Sequence, residues 1–131
     1  MRIIIAGTRT FSNYSVIAKE TDKLIADIYK NHAIIFNSEI EIISGHARGV
    51  DMTGESYARN NNYKLSTFPA DWDMYGKSAG YRRNEQMACY AYQDPSGNAL
   101  LAFWDGKSVG TKHMIDLAKR YNLNTVRVIT V

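Results

Sequence analysis

Residue types that often build stabilising or catalytic sites are scarce in this sequence. Cysteine occurs once, proline twice and histidine three times. A single cysteine, Cys89, excludes a disulfide and a cysteine zinc site within one chain. Since no histidine and carboxylate fall at ligand spacing, we expect neither a bound metal nor a cofactor. Cys89 follows Met87 and Ala88 on a predicted helix, which predicts a buried, unreactive thiol.

Long hydrophobic runs and dense blocks of one charge are also absent. The apolar run Ile3-Ile4-Ile5-Ala6 is too short for a signal peptide or a membrane span. A cytoplasmic location without membrane contact is therefore expected. Sixteen basic and thirteen acidic residues give a net charge of +3, which suits an anionic ligand but supplies no basic stripe for nucleic acid. A length of 131 residues predicts one domain spanning residues 1–131.

Short apolar runs alternate with helical periodicity along the chain. Continuous apolar or β-branched runs predict strands at residues 3–6, 41–43, 64–68, 99–104 and 125–131. Apolar positions at helical spacing predict helices at residues 14–30, 50–60, 81–92 and 111–121. Ser12 and Asn13 are both candidates for the first N-cap, and the apolar patch at residues 33–36 has no assignment. This order predicts an α/β fold in which helices cover both faces of a parallel sheet of about five strands.

Polar segments follow four of the predicted strands. These segments are Gly7-Thr8-Arg9, residues 44–49, residues 69–80 and residues 105–111. Parallel α/β sheets bind ligands outside the carboxyl ends of their strands, so we expect the site at this edge. Residues 70–80 are too polar and glycine-rich for a core element and are predicted to form a long functional loop.

The junction Ile42-Ile43-Ser44-Gly45-His46-Ala47-Arg48-Gly49-Val50-Asp51 combines a buried strand, a glycine turn and a helix start. Glycines let the backbone approach an anion, and the first helical N–H groups point towards it. Arg48 adds a guanidinium group. The junction matches neither a Walker loop nor a dinucleotide fingerprint, so an ordinary βα turn remains an alternative. Asp51 fits three roles: a helix-dipole acid, a partner for Arg48, or an acceptor for a ribose hydroxyl.

Cationic side chains lie on or beside the same edge and predict an anionic, phosphate-bearing ligand. They are Arg9, Arg48, Lys77, Arg82, Arg83, Lys107 and Lys112. For Lys77 and Lys112, a solvated surface charge is the favoured interpretation. Arg9 and Arg48 lie inside glycine turns, where a long side chain has little structural purpose.

Aromatic and histidine side chains supply further candidates. Trp72, Tyr75 and Trp104 can stack on a base, although Trp104 ends a strand and is as well placed for core packing. His46 and His113 are candidate general bases. A histidine in a glycine turn more often donates a hydrogen bond to a phosphate or carbonyl group.

Motifs along nearly the whole chain resemble the YspA-like branch of the SLOG superfamily. They are Gly7-Thr8-Arg9, Ser44 through Asp51, Phe68-Pro69-Ala70-Asp71-Trp72, Gly76-Lys77-Ser78-Ala79-Gly80, Arg83-Asn84 with Met87, Phe103-Trp104-Asp105-Gly106-Lys107-Ser108, and Gly110-Thr111. This superfamily is Rossmann-like and includes the lonely-guy phosphoribohydrolases and the DNA-processing protein DprA. The resemblance implies a nucleotide-like ligand at the glycine-rich strand ends, and relatives of this fold commonly self-associate into homo-oligomers.

The resemblance also implies which residues hold the ligand. Those assigned to the phosphate and its surroundings are Gly7, Arg9, Ser44, Gly45, Arg48, Gly49, Asp51, Arg83, Asn84, Lys107, Ser108, Gly110 and Thr111. Trp72 or Tyr75 would cover the base or sugar.

The chain departs from the lonely-guy pattern at the residues that serve catalysis. His113 and Met114 stand where that family has glutamates, and Asn84 replaces the lysine beside the helix arginine. An oxocarbenium-like transition state needs a nearby carboxylate, which Asp71 or Asp105 could supply. His113, as a candidate general base, is the third remaining catalytic candidate.

The leading hypothesis from the sequence is binding, by a sensor or a sequestering protein, of a phosphorylated nucleotide-derived ligand. The alternative is an N-glycosidase acting on a nucleoside monophosphate or related nucleotide. DNA binding, by analogy with DprA, is a third hypothesis, which the modest net charge of +3 disfavours.

Overall fold

A computed structural model of the chain describes residues 1–31 and 39–131. It contains one five-stranded sheet, in which every strand pairs in parallel in the order β3-β2-β1-β4-β5. The strands are β1 (Arg2–Gly7), β2 (Glu41–Ser44), β3 (Lys64–Thr67), β4 (Asn98–Trp104) and β5 (Thr125–Thr130). The predicted α/β, Rossmann-like parallel sheet is therefore confirmed. The unassigned apolar patch at residues 33–36 lies outside the described residues.

Helices follow each of the first four strands. They are α1 (Tyr14–Asn31), α2 (Val50–Asn60), the one-turn α3 (Trp72–Tyr75), α4 (Ala79–Tyr92) and α5 (Val109–Arg120). Of the two candidate caps for α1, Asn13 is the one used, because its Oδ1 accepts a hydrogen bond from the Val16 N–H at 3.2 Å. None of the described helices has both the length and the apolar content needed to cross a bilayer.

Alternate residues of the central strand β1 pack on opposite faces of the sheet. Ile3 and Ile5 join the core formed with α1 and α2, whereas Ile4 and Ala6 join the core formed with α4 and α5. The isoleucines are fully buried, as expected for a parallel strand with helices on both sides. The predicted placement of helices on both faces is thus confirmed.

The strand order reverses beside β1. The chain first moves outward from β1 to β2 and β3, then crosses through α3 and α4 to place β4 on the other side of β1. The loops after β1 and β4 therefore leave the sheet in opposite directions and open a crevice at their carboxyl ends.

The prediction of a long loop at residues 70–80 is wrong. This segment forms α3, a 3-10 turn at Gly76–Ser78 and the start of α4, which begins at Ala79. Asp71 caps α3, because its Oδ1 accepts a hydrogen bond from the Met74 N–H at 3.0 Å. Gly76 follows with a φ of 55°, a left-handed conformation that redirects the chain into the turn. The glycines obscured a short capped helix in the sequence pattern.

The predicted burial of Cys89 is also wrong. The α4 residues that pack on the sheet are Met87, Ala88 and Ala91, as predicted. Cys89 lies at the border of that stripe and is partly exposed, and its Sγ accepts a hydrogen bond from Gln93 Nε2 at 3.4 Å.

The close contact between α2 and β1 leaves no room for a Cβ atom at Gly54 unless neighbouring atoms move. A Cβ atom there would lie 2.9 Å from Cγ2 of the fully buried Ile5. We therefore expect Gly54→Ala to lower the free energy of unfolding by about 1–2 kcal/mol, because overpacking outweighs the roughly 1 kcal/mol that alanine gains in helix propensity. Urea denaturation measures the difference. Ser56→Ala, on the partly exposed side of the same helix, should be near neutral, and stabilisation by Gly54→Ala would contradict this packing.

Candidate functional site

A cavity of about 450 Å³ lies at the carboxyl ends of β1 and β4, where the strand order reverses. The loop after β1, the start of α4 and the turn between β4 and α5 supply most of its wall. The predicted site residues that line it are Gly7, Arg9, Asp51, Trp72, Arg83, Asn84, Asp105, Ser108, Gly110 and Thr111. We call this space the first cavity.

A second cavity of about 310 Å³ adjoins the first. Arg9, Trp72 and Arg83 line both, so these side chains form a shared wall. Gly45 and Arg48 line the second cavity only. The predicted site residues are thus divided between two neighbouring spaces.

Arg83 is held at this shared wall by α4. Its Nη1 donates a hydrogen bond to the Gly45 carbonyl, and its Nε donates to Asn84 Oδ1 at 3.0 Å. Burial lowers the pKa of Arg83, and the nearby positive charge of Arg9 lowers it further, while Asp51 acts in the opposite direction. Two guanidinium groups that repel each other on a cavity wall favour an anion that contacts both.

Asp51 is a buried carboxyl group on the wall of the first cavity. Burial raises its pKa to about 6, although hydrogen bonds from the backbone of Ala47 and Gly7 and the charge of Arg83 oppose the increase. The Ala47 N–H donates to Asp51 Oδ2 at 3.2 Å. The cation that acts on this carboxyl group is therefore Arg83.

Gly45 is required where Asp51 and Arg83 come together. A Cβ atom at this position would lie 2.9 Å from Asp51 Oδ2 and 2.9 Å from the central carbon of the Arg83 guanidinium group. The glycine therefore serves a close approach between side chains, in addition to any approach of a ligand.

In the turn between β4 and α5, an aspartate side chain likewise accepts hydrogen bonds from backbone N–H groups of the same turn. Asp105 Oδ1 accepts hydrogen bonds from the N–H groups of Lys107 and Ser108, both at 2.8 Å, and these bonds lower the pKa of Asp105. Ser108 then caps α5, because its Oγ accepts from the Thr111 N–H at 3.3 Å. Both glycine turns predicted to cradle phosphate thus hold an internal carboxylate on some of their amides, which leaves the arginines as the stronger anion ligands.

Asn84 connects α4 to the start of α5. Its Nδ2 donates to the Gly110 carbonyl at 3.2 Å and lies 3.1 Å from His113 Nδ1. Burial lowers the pKa of His113, and the charge of Arg120 lowers it further. His113 also contacts Tyr81 edge-on, with 4.6 Å between ring centroids. These contacts give Asn84 and His113 a role in fixing α4 against α5.

Other predicted residues of the described chain line neither cavity. They are Ser44, Gly49, Asp71, Tyr75, Lys107 and His113. Gly49 has a φ of 81° and packs beneath the Arg9 backbone, and the Arg82 guanidinium lies 4.5 Å from the centre of the Tyr75 ring. Trp104 packs on the core and donates from Nε1 to the Ser108 carbonyl at 3.0 Å.

Glu55 is a buried residue of the site region that the sequence analysis missed. Its Oε2 lies 2.8 Å from His46 Nδ1 and accepts a hydrogen bond from Ser44 Oγ at 2.8 Å. The signal was present in the sequence, since Glu55 follows Asp51 by one helical turn on the buried side of α2. Tyr81, which lines the first cavity, was not predicted either, whereas Thr8 lies there as part of the predicted segment Gly7-Thr8-Arg9.

Comparison with known proteins assigns the family. The model of the family described as YspA, cpYpsA-related SLOG family matches residues 1–75. The chain belongs to this family. The match runs from β1 through α3, and it therefore includes Arg9, the junction at residues 44–51 and Trp72.

One relative of this SLOG protein extends over nearly the whole chain. The Gene 61 protein of Mycobacterium phage D29 is 25% identical to this chain over an aligned length of 131 residues. The alignment covers 95% of this chain and 94% of that protein. No solved structure is a significant match to the chain.

The raised pKa of Asp51 predicts a pH-dependent effect of Asp51→Asn. Because the pKa in the folded chain is above its ordinary value of 3.8, wild-type stability decreases as the pH rises from about 4 to about 6, and the penalty persists at higher pH. Asparagine carries no such penalty. The free energy of unfolding of Asp51→Asn relative to wild type should therefore increase between pH 4 and pH 7. Because one pKa unit corresponds to about 1.4 kcal/mol, the increase should not exceed a few kcal/mol.

Asp105→Asn is the matched control with the opposite sign. The pKa of Asp105 is lowered, so this carboxylate contributes stability above its ordinary pKa and loses it in acid. The variant should be destabilised at pH 7, and the difference should shrink towards pH 3. Denaturation curves across this pH range measure both trends, and parallel trends for the two variants would contradict the assignment.

Proposed function

We propose that this SLOG protein binds a phosphorylated, nucleotide-derived ligand whose phosphate lies between Arg9 and Arg83. The observation that carries the proposal is the position of these two guanidinium groups. They share the wall of adjoining cavities at the point where the strand order reverses, and the charge of Arg9 contributes to the lowered pKa of Arg83. A phosphate that contacts both removes this repulsion and accepts the paired N–H donors that each fork offers.

The first cavity suits the base and sugar of such a ligand. Trp72 is about half exposed at its wall, and its ring lies beside Gly80, where a Cβ atom would be 3.4 Å from it. This indole can stack on a base. Met87 and Met114 supply apolar surface, and the carboxylate of Asp105 can accept a hydrogen bond from a sugar hydroxyl. The ligand is bound without turnover in this proposal, as in a sensor or a sequestering protein.

Arg83→Gln should weaken nucleotide binding by at least tenfold. A lost charge-assisted hydrogen bond is worth about 1.5–3 kcal/mol, and each 1.4 kcal/mol is a factor of about ten in affinity. Mass spectrometry of molecules released from the denatured protein, followed by calorimetry with nucleoside mono- and diphosphates, NAD and cyclic ADP-ribose, identifies the best-binding probe.

Arg82→Gln is the matched control, because Arg82 precedes Arg83 on α4, is exposed and lines neither cavity. It should retain wild-type affinity. Arg9→Gln, a second site variant at an exposed residue, should reproduce the loss without disturbing the fold. Equal affinities for Arg82→Gln and Arg83→Gln, or no binding by any probe, would overturn the proposal.

A second candidate function, N-glycosidic hydrolysis, is favoured by two carboxyl groups in the first cavity. Burial raises the pKa of Asp51 to about 6, whereas backbone hydrogen bonds lower the pKa of Asp105. Opposite shifts in one cavity suit an acid and an ionised partner. Asp51 would protonate the leaving base as the C1′–N bond breaks, and Asp105 would stabilise the oxocarbenium-like centre. Water would then form the new C1′–O bond and lose its proton to the Asp51 carboxylate, which restores the acid.

Release of free base from nucleoside monophosphates tests the hydrolase directly. Chromatography should then detect a base and a ribose phosphate in equal amounts. Turnover should fall as the pH rises above about 6, because the protonated form of Asp51 is lost. Asp51→Asn and Asp105→Asn should each reduce the rate at least a hundredfold, whereas Asp71→Asn, at a residue that caps α3, should not. Intact nucleotides after long incubation would exclude this candidate.

A further inference from the structure

The second cavity is lined by cations without an opposing carboxylate. The charged and titratable groups among its described lining residues are Arg9, Arg48, Arg83 and His46. The first cavity, in contrast, places Asp51 and Asp105 opposite its cations. Asp51 and Glu55 lie behind Arg83 and His46 without lining the second cavity, so the charges that face the cavity are those of arginines, and these favour an anionic ligand.

His46 is held in this wall by a buried network. Its Nδ1 lies 2.8 Å from Glu55 Oε2, and the Glu55 side chain is only 3% exposed. The same Glu55 oxygen accepts a hydrogen bond from Ser44 Oγ, and Ser44 Oγ accepts one from the His46 N–H at 3.0 Å. Since a carboxylate can only accept, Nδ1 carries the proton of this contact. The opposite nitrogen, Nε2, makes no hydrogen bond to any described residue, and it donates to a ligand oxygen when the ring carries a proton on both nitrogens.

The backbone of His46 supports the same conclusion. Its φ is 60°, a left-handed conformation that residues other than glycine rarely adopt. Such a conformation persists where the surrounding contacts enforce it, and here Ser44 and Glu55 supply those contacts. The imidazole is thus positioned at the cavity rather than being a freely moving surface side chain.

We propose that the second cavity is a second phosphate subsite, contacted by Arg48 and His46, and that the ligand carries two phosphate groups. This inference rests on the proposed function, which places the first phosphate between Arg9 and Arg83. Because these two arginines and Trp72 belong to both cavities, one ligand can pass along the shared wall and occupy both. The ligand class is a nucleotide with two phosphates, joined as a diphosphate or attached at separate positions.

Calorimetry with four adenine probes tests this inference. The probes are AMP, ADP, adenosine 3′,5′-bisphosphate and the dinucleotide in which two adenosines share a 5′,5′-diphosphate. At least one probe with two phosphates should bind tenfold or more tightly than AMP, with one molecule per chain. In Arg48→Gln that advantage should disappear, while AMP affinity stays within about twofold of wild type.

His46→Asn provides a second variant, because asparagine adopts the left-handed conformation readily. In this variant the ratio of the affinity for the two-phosphate probe to that for AMP should fall several-fold, while the affinity for AMP stays at the wild-type value. The control Arg82→Gln should change neither affinity, since Arg82 lines neither cavity.

The outcomes separate this inference from the function on which it rests. Binding of AMP with no gain from a second phosphate overturns the second subsite and leaves the proposed function in place. Equal losses for AMP and the two-phosphate probes in Arg48→Gln overturn it as well, because Arg48 would then contact the first phosphate. Two probe molecules per chain would mean two separate ligands and would also overturn it. Failure of all four probes, and of the corresponding probes that carry the other bases, to bind overturns both proposals.

Discussion

The contact between α4 and the turn after β2 organises the site. Arg83 donates to the Gly45 carbonyl and lies close to the buried Asp51 carboxyl group. The absence of a side chain at Gly45 makes this approach possible. Through it, a helix from the second half of the chain meets a turn from the first half, and the boundary between the two cavities is set at that meeting.

Two aspartate side chains occupy backbone N–H groups at the carboxyl edge of the sheet. Asp51 and Asp105 each accept backbone hydrogen bonds in a turn that could otherwise have offered those amides to an anion. Side-chain guanidinium groups, which keep their charge and project further from the backbone, are then the groups left to meet a phosphate. A glycine turn before a helix therefore does not by itself identify an anion-binding site at this sheet edge.

Local residue patterns predicted what depends on local structure. The apolar runs that begin at Ile3 and Ala99 predicted strands buried on both faces, and the first helix cap was narrowed to Ser12 or Asn13, of which the structure uses Asn13. The partners of Asp51 and Glu55 could not be predicted, because Arg83 and His46 reach them only after α4 docks and the turn closes. The same reasoning applies to residues 70–80, where a single capped turn has too few residues to show a helical period.

The cations of the site come from segments far apart in the sequence. Arg9, Arg48 and Arg83 follow β1, follow β2 and lie on α4, respectively, so their mutual repulsion arises only when the chain folds. Any anion that neutralises them binds the folded chain and not the unfolded one, which shifts the folding equilibrium by mass action. If the proposed ligand is such an anion, the half-life of the protein against proteolysis increases with the ligand concentration, and the cellular abundance of the protein follows that concentration.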